Sequence, residues 1–89
     1  MRINVKANFR IEGIDKDHVE MKGRPTLGEV LIDLAGRSEF LFVLPDGKID
    51  PEVEVLLNGL EYPFLPKRLE TELKDGDEVE IMLMALGGG

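Results

Sequence analysis

The 89-residue sequence has no cysteine, no tryptophan and no glutamine, and it has a single histidine and a single tyrosine. Without cysteine there is no disulfide, no thiolate nucleophile and no cysteine-held iron–sulfur or zinc site, so stability rests on packing alone. Basic residues are outnumbered: 11 Lys and Arg stand against 18 Asp and Glu, a formal net charge of −7. Such a surface repels nucleic-acid phosphates and anionic lipid, which argues against both as partners and favours proteins with basic docking faces. No run of eighteen apolar residues occurs, and the opening MRINVKANFRIEG lacks the apolar stretch of a secretory signal, so the expected location is the cytoplasm. The lack of Gln and Cys beside abundant Glu and Lys matches a bias seen in thermophile proteins.

The shortage extends to catalytic groups. His18 has no serine or threonine near it in sequence, Ser38 and Thr71 have no histidine near them, and Thr26 is committed to a helix cap, so no nucleophile–base pair is legible. Asp15, Asp17 and His18 read as turn formers and a solvated strand residue rather than metal ligands. The glycines at the end precede no helix and no Lys-Ser/Thr pair, which excludes a P-loop or dinucleotide fingerprint. The chain therefore reads as a non-enzyme with no bound cofactor or metal.

What is present is a strong pattern. With 43% hydrophobic residues, a chain of this length makes one domain that buries about 60 to 65% of the surface exposed by its unfolded form. Ile3, Val5, Ala7, Phe9 and Ile11 alternate with Arg2, Asn4, Lys6, Asn8 and Arg10, which predicts a half-buried strand from Arg2 to Ile11. Gly13, Asp15 and Asp17 supply a turn, and Val19 and Met21 alternate with His18, Glu20 and Lys22 in a second strand folding back as a hairpin.

Thr26 and Glu29 form a capping box, so a helix starts near Leu27. Its apolar stripe is Leu27, Val30, Leu31, Leu34 and Ala35, and Gly36 is the expected stop. Gly28 weakens that helix by roughly 1 kcal/mol relative to alanine, a cost for packing to offset. FLFVLPDG predicts a short strand ended by a Pro-Asp-Gly turn, and VEVLLNGLEY a strand that reverses at Asn58-Gly59. After a loop with Pro63 and Pro66, Asp75-Gly76 turns the chain into a last strand, where Val79, Ile81, Leu83 and Ala85 alternate with Glu78, Glu80, Met82 and Met84. One crossover helix between hairpins in a mixed four- to five-stranded sheet makes an α+β roll, a β-grasp. A ferredoxin-like fold would need a second helix, for which nothing after Arg37 shows the periodicity. The expected division is a domain over 1–86 and a glycine tail over 87–89.

The opening strand, the helix TLGEVLIDLAGR, the LLNG segment, TELKDGDEVEIM and the terminal Gly-Gly together resemble the small ubiquitin-like sulfur carriers of the MoaD and ThiS type. These include the small subunit of molybdopterin synthase and archaeal modifier proteins. The resemblance covers nearly the whole chain. It implies that an activating enzyme uses ATP to adenylate the carboxylate of Gly89, beside Gly88, and that sulfur then displaces AMP to leave a thiocarboxylate. It further implies the activating enzyme and the molybdopterin synthase large subunit, or another sulfur acceptor, as partners. The third glycine, Gly87, and the segment MAL in place of a PVA-like stretch leave other members open: a modifier conjugated to lysines, or a carrier for thiamin or tRNA thiolation. A β-grasp interaction module that is never activated is the remaining alternative.

The sheet pattern adds a docking face. If Val79, Ile81 and Leu83 face the helix, Met82 and Met84 lie on the opposite side near the tail, and with Leu56, Leu86 and Gly87 they form the expected partner-binding set. The four residues from Leu86 to Gly89 extend to roughly 13 to 14 Å, and glycine lets bare backbone enter a narrow channel.

Overall fold

The computed structural model describes residues 1–14 and 17–84. The turn residue Asp15, the end of the expected strand at Ala85, and Leu86, Gly87, Gly88 and Gly89 all lie outside the described residues. The described elements are β1 (Arg2–Ala7), β2 (His18–Glu20), α1 (Leu27–Gly36), β3 (Val53–Leu57), β4 (Leu60–Glu61) and β5 (Glu78–Leu83), with 3-10 turns at Tyr62–Phe64 and Arg68–Glu70. The sheet has the order β2-β1-β5-β3-β4, with β1 and β5 parallel and the other pairs antiparallel. This is the mixed five-stranded β-grasp with one main helix.

The helix begins where its cap dictates. The backbone N–H of Glu29 donates to the Thr26 hydroxyl at 3.2 Å, and the Thr26 N–H donates to the Glu29 carboxylate at 2.8 Å. Leu27, Val30, Leu31, Leu34 and Ala35 are buried, as the stripe requires. They pack with Ile3, Val5, Val19, Val53, Val55, Leu57, Val79 and Ile81 into one core, and each fully buried aliphatic side chain contributes about 1.5 to 3 kcal/mol. Gly36 ends the helix, although the turn beyond it closes through Arg37 and Ser38 N–H bonds to Leu34 and Ala35 rather than through a left-handed glycine. Gly28 has a packing role: a Cβ there would lie 3.2 Å from the carbonyl oxygen of Leu69, so its bare backbone admits the 3-10 turn at Arg68–Glu70 against the helix.

The Asn58-Gly59 reversal carries positive φ at both residues, 51° and 87°, the requirement of the tight hairpin turn its sequence signals. Two expectations are corrected. FLFVLPDG is not a strand of the sheet: it makes one isolated bridge, Val43 to Ile49, in a loop closed by the Leu44 N–H donating to the Lys48 carbonyl at 2.8 Å. Its alternation is real, since Leu41 is 61% exposed while Phe42 is fully buried, but the segment uses it to plug the core from the side. There Phe9 packs edge-on against both Phe40 and Phe42, at centroid distances of 5.8 and 5.7 Å. The same cluster shortens the first strand. β1 leaves the sheet after Ala7, Phe9 turns into the aromatic group, and Ile11 bridges Ser38 instead of continuing the ladder.

Candidate functional site

β5 leads into the glycine tail, and both of its ends are held by side chains from elsewhere in the fold. At the start, the Glu78 N–H donates to the Asn58 carboxamide oxygen at 2.9 Å, and the Asn58 amide donates to Asp77 at 3.1 Å. Asp77 also accepts from the Lys74 N–H at 2.7 Å, and Asp75 accepts from the Arg2 N–H at 2.7 Å. The LLNG and KDGDEVEI segments are thus in contact with each other, and their polar residues tie the β3–β4 hairpin and β1 to the entry of β5.

At the far end, where β1 has left the sheet, the side chain of Asn8 takes its place. The Leu83 N–H donates to the Asn8 carboxamide oxygen at 2.7 Å, and the Asn8 amide donates to the Leu83 carbonyl at 2.8 Å. A carboxamide carries the same donor and acceptor as a peptide unit, so Asn8 continues the ladder for one more residue. On the other side the Met84 N–H donates to the Glu52 carbonyl at 2.8 Å. The chain is therefore pinned from both flanks up to the last described residue before the tail. In the sequence Asn8 appears only as one more polar position of an alternating strand, and its role depends on the strand ending one residue before it.

The expected register is observed: Val79 and Ile81 are buried against the helix side, and Met82 lies on the opposite face. Across the β3–β5 ladder Met82 faces Glu54 and Leu56 faces Glu80, so Leu56 and Met82 are diagonal neighbours in a checkerboard with two carboxylates. Both are half-buried, while Met84 is 48% exposed. Met84 also lines a groove with Tyr62 and Pro63, where the loop after β4 begins. Lys6 pairs with Glu78 at 3.3 Å, and among the described residues neither Glu54 nor Glu80 has an ion-pair partner. The open face is an apolar pair within an acidic surround.

Of the partner-binding set, Leu56, Met82 and Met84 thus share one side of the sheet; Leu86 and Gly87, like Gly88 and Gly89, lie outside the described residues. No group of three or more His, Asp or Glu side chains able to hold a metal occurs among the described residues, and none of their helices is long and apolar enough to cross a membrane.

The crystal structure of SAMP1 from Haloferax volcanii superposes with a TM-score of 0.71 at 22% identity, covering 99% of this chain and 100% of that one. The solution structure of the Haloferax volcanii HVO 2177 protein gives 0.70 at 29% identity, with 99% and 87% covered. The Amycolatopsis orientalis BexX/CysO complex gives 0.64 at 25% identity, with 97% and 99% covered. No curated protein sequence matches the chain. The ThiS family model matches residues 5–89, from the first core strand through the glycines. The chain belongs to the ThiS family, the ubiquitin-like sulfur carriers and modifiers, whose members are small carrier proteins rather than catalysts.

Proposed function

We propose that this chain carries sulfur as a thiocarboxylate on Gly89 and delivers it to a precursor of the molybdenum or tungsten cofactor, molybdopterin. The supporting observation is the double anchoring of β5: Asn8 and Glu52 hold the backbone up to Met84, directly before a segment whose last three residues are glycine. A fixed base with a side-chain-free arm presents the terminal carboxylate to a buried active centre at low steric cost.

The chemistry follows from the poor reactivity of a carboxylate. In the activating partner a Gly89 carboxylate oxygen attacks the α-phosphorus of ATP and pyrophosphate leaves, giving an acyl-adenylate. Hydrosulfide-level sulfur then attacks the carbonyl carbon, AMP leaves with the C–O bond pair, and a proton is released to give the thiocarboxylate. ATP is consumed by the partner and no cofactor resides in this chain. Leu56, Met82 and Met84, with Leu86 and Gly87, form the face on which the activating enzyme and the acceptor subunit dock in turn. The domain over 1–86 is the scaffold and 87–89 the arm.

Incubation with an activating enzyme, ATP and a sulfur donor is expected to replace one terminal oxygen by sulfur in the intact mass. Absence of that exchange with every candidate activating enzyme would overturn the reading. The third glycine, Gly87, supports a second use of the same adenylate, attack by a lysine amine to give an isopeptide-linked modifier. Isolation of Gly89–lysine adducts, rather than the thiocarboxylate, would select it.

A further inference from the structure

β3 has five residues, but β4 pairs with only two of them, Leu56 and Leu57. The Met84 N–H bond to the Glu52 carbonyl sets the parity of the β3–β5 ladder: backbone groups of even-numbered residues of β3 point toward β5, and those of Val53 and Val55 point outward. The chain that could have covered this edge turns away at once into the 3-10 turn at Tyr62–Phe64, which the Leu65 N–H closes by donating to the Tyr62 carbonyl at 3.0 Å. Beside the uncovered edge runs an open groove of about 210 Å³, lined by Pro51, Tyr62, Pro63 and Met84 as apolar contacts and by Glu54 and Glu61 as charges.

We propose that the Val53–Val55 edge is a strand-addition site for an extended segment of a partner protein whose residues alternate between basic and apolar. Such a segment would pair with the outward carbonyl of Val53 and N–H of Val55, set its apolar side chains against Tyr62, Pro63 and Met84, and place its basic ones at Glu54 and Glu61. The Val53 N–H is already taken by the Asp50 carbonyl at 2.9 Å, so the ladder is short and the contact weak and exchangeable. A second copy of this chain is disfavoured as the occupant, because it would bring another chain of net charge −7 and a second pair of groove glutamates against the same edge. Met84, a lining residue of this groove, is the last described residue before the tail. The proposal stands apart from the chemistry of Gly89, and its test involves no activation.

The test is titration of the full chain, at low salt, with the acetylated and amidated peptide Lys-Val-Arg-Val-Lys, followed by amide NMR shifts. Shifts are expected to concentrate at Val53, Val55, Tyr62 and Met84, with slowed hydrogen exchange at the Val55 N–H. The acidic counterpart Glu-Val-Glu-Val-Glu should not bind, and N-methylation of the basic peptide's central amides should abolish the effect. The double variant Glu54→Lys, Glu61→Lys should weaken binding by roughly tenfold, as the reversal of two rim charges implies, with the exposed Glu39→Lys as a neutral control. Absence of binding, equal binding of the N-methylated peptide, or shifts centred on Leu56 and Met82 would each overturn the proposal.

Discussion

The two faces of the sheet obey different rules. Toward the helix, Ile3, Val5, Val19, Val55, Val79 and Ile81 are each at most 5% exposed and wholly apolar. Away from it, β1, β3 and β5 present Lys6, Glu54, Glu78 and Glu80 around the half-buried Leu56 and Met82. The inner face is set by transfer free energy, for which one aliphatic side chain substitutes for another of similar volume. The outer face gains little from burial in the free chain, and under the proposed function Leu56 and Met82 are there for a partner to cover.

Substitutions separate these rules, beginning with the largest effect. Leu31→Ala leaves a cavity under the fully buried centre of α1 and is expected to cost about 2 to 5 kcal/mol, read as a lowered denaturant midpoint with an unchanged slope. A cost under about 1 kcal/mol would mean that the inner face is less tightly packed than its burial implies. On the outer face, Leu56→Thr with Met82→Thr keeps strand propensity without opposing a carboxylate to Glu80 or Glu54 and should leave stability within about 1 kcal/mol of the parent, yet lower the rate of sulfur loading by roughly 10- to 100-fold at subsaturating activating enzyme. Equal losses in stability and loading would erase the distinction between the faces.

Asn8→Ala tests the edge between them. Removing its two bonds to Leu83 should cost about 0.5 to 1.5 kcal/mol and speed hydrogen exchange at the Leu83 amide more than at Ile81, while Asn8→Asp restores only the acceptor half. The smallest effect belongs to Lys6→Ala: its pair with Glu78 is exposed, and the expected change is below about 0.5 kcal/mol and is screened further by salt.

Most of the inner face was legible because burial imposes a period. The 3.6-residue stripe of α1, the Thr26–Glu29 box and the Asn58-Gly59 turn are each encoded within a dozen residues and appear where expected. The same reasoning failed at FLFVLPDG and at the end of β1, since alternation reports an extended chain with one side buried and says nothing about a strand partner. Phe42 satisfies that pattern by filling the core beside Phe9 and Phe40, without joining the sheet. Of the docking set, the placement of Met82 on the face away from the helix followed from parity alone, and that of Leu56 on the same face is shown by the β3–β5 pairing. Their diagonal adjacency required the β3–β5 register, and the groove at Met84 required knowing where β4 stops.

By itself the sequence determined the capped helix with its core stripe, the Asn58-Gly59 turn and the tail glycines, because each depends on local spacing or on the freedom of a residue without a side chain. The tertiary structure alone decided that Asn8 closes on Leu83, 75 positions away, that Asn58 meets Asp77 across the entry to β5, and that the outer edge at Val53–Val55 carries no strand. Those facts depend on which distant segments become neighbours once the core has formed, and the chemistry of a carboxamide or a bare strand edge is set by the neighbour it finds.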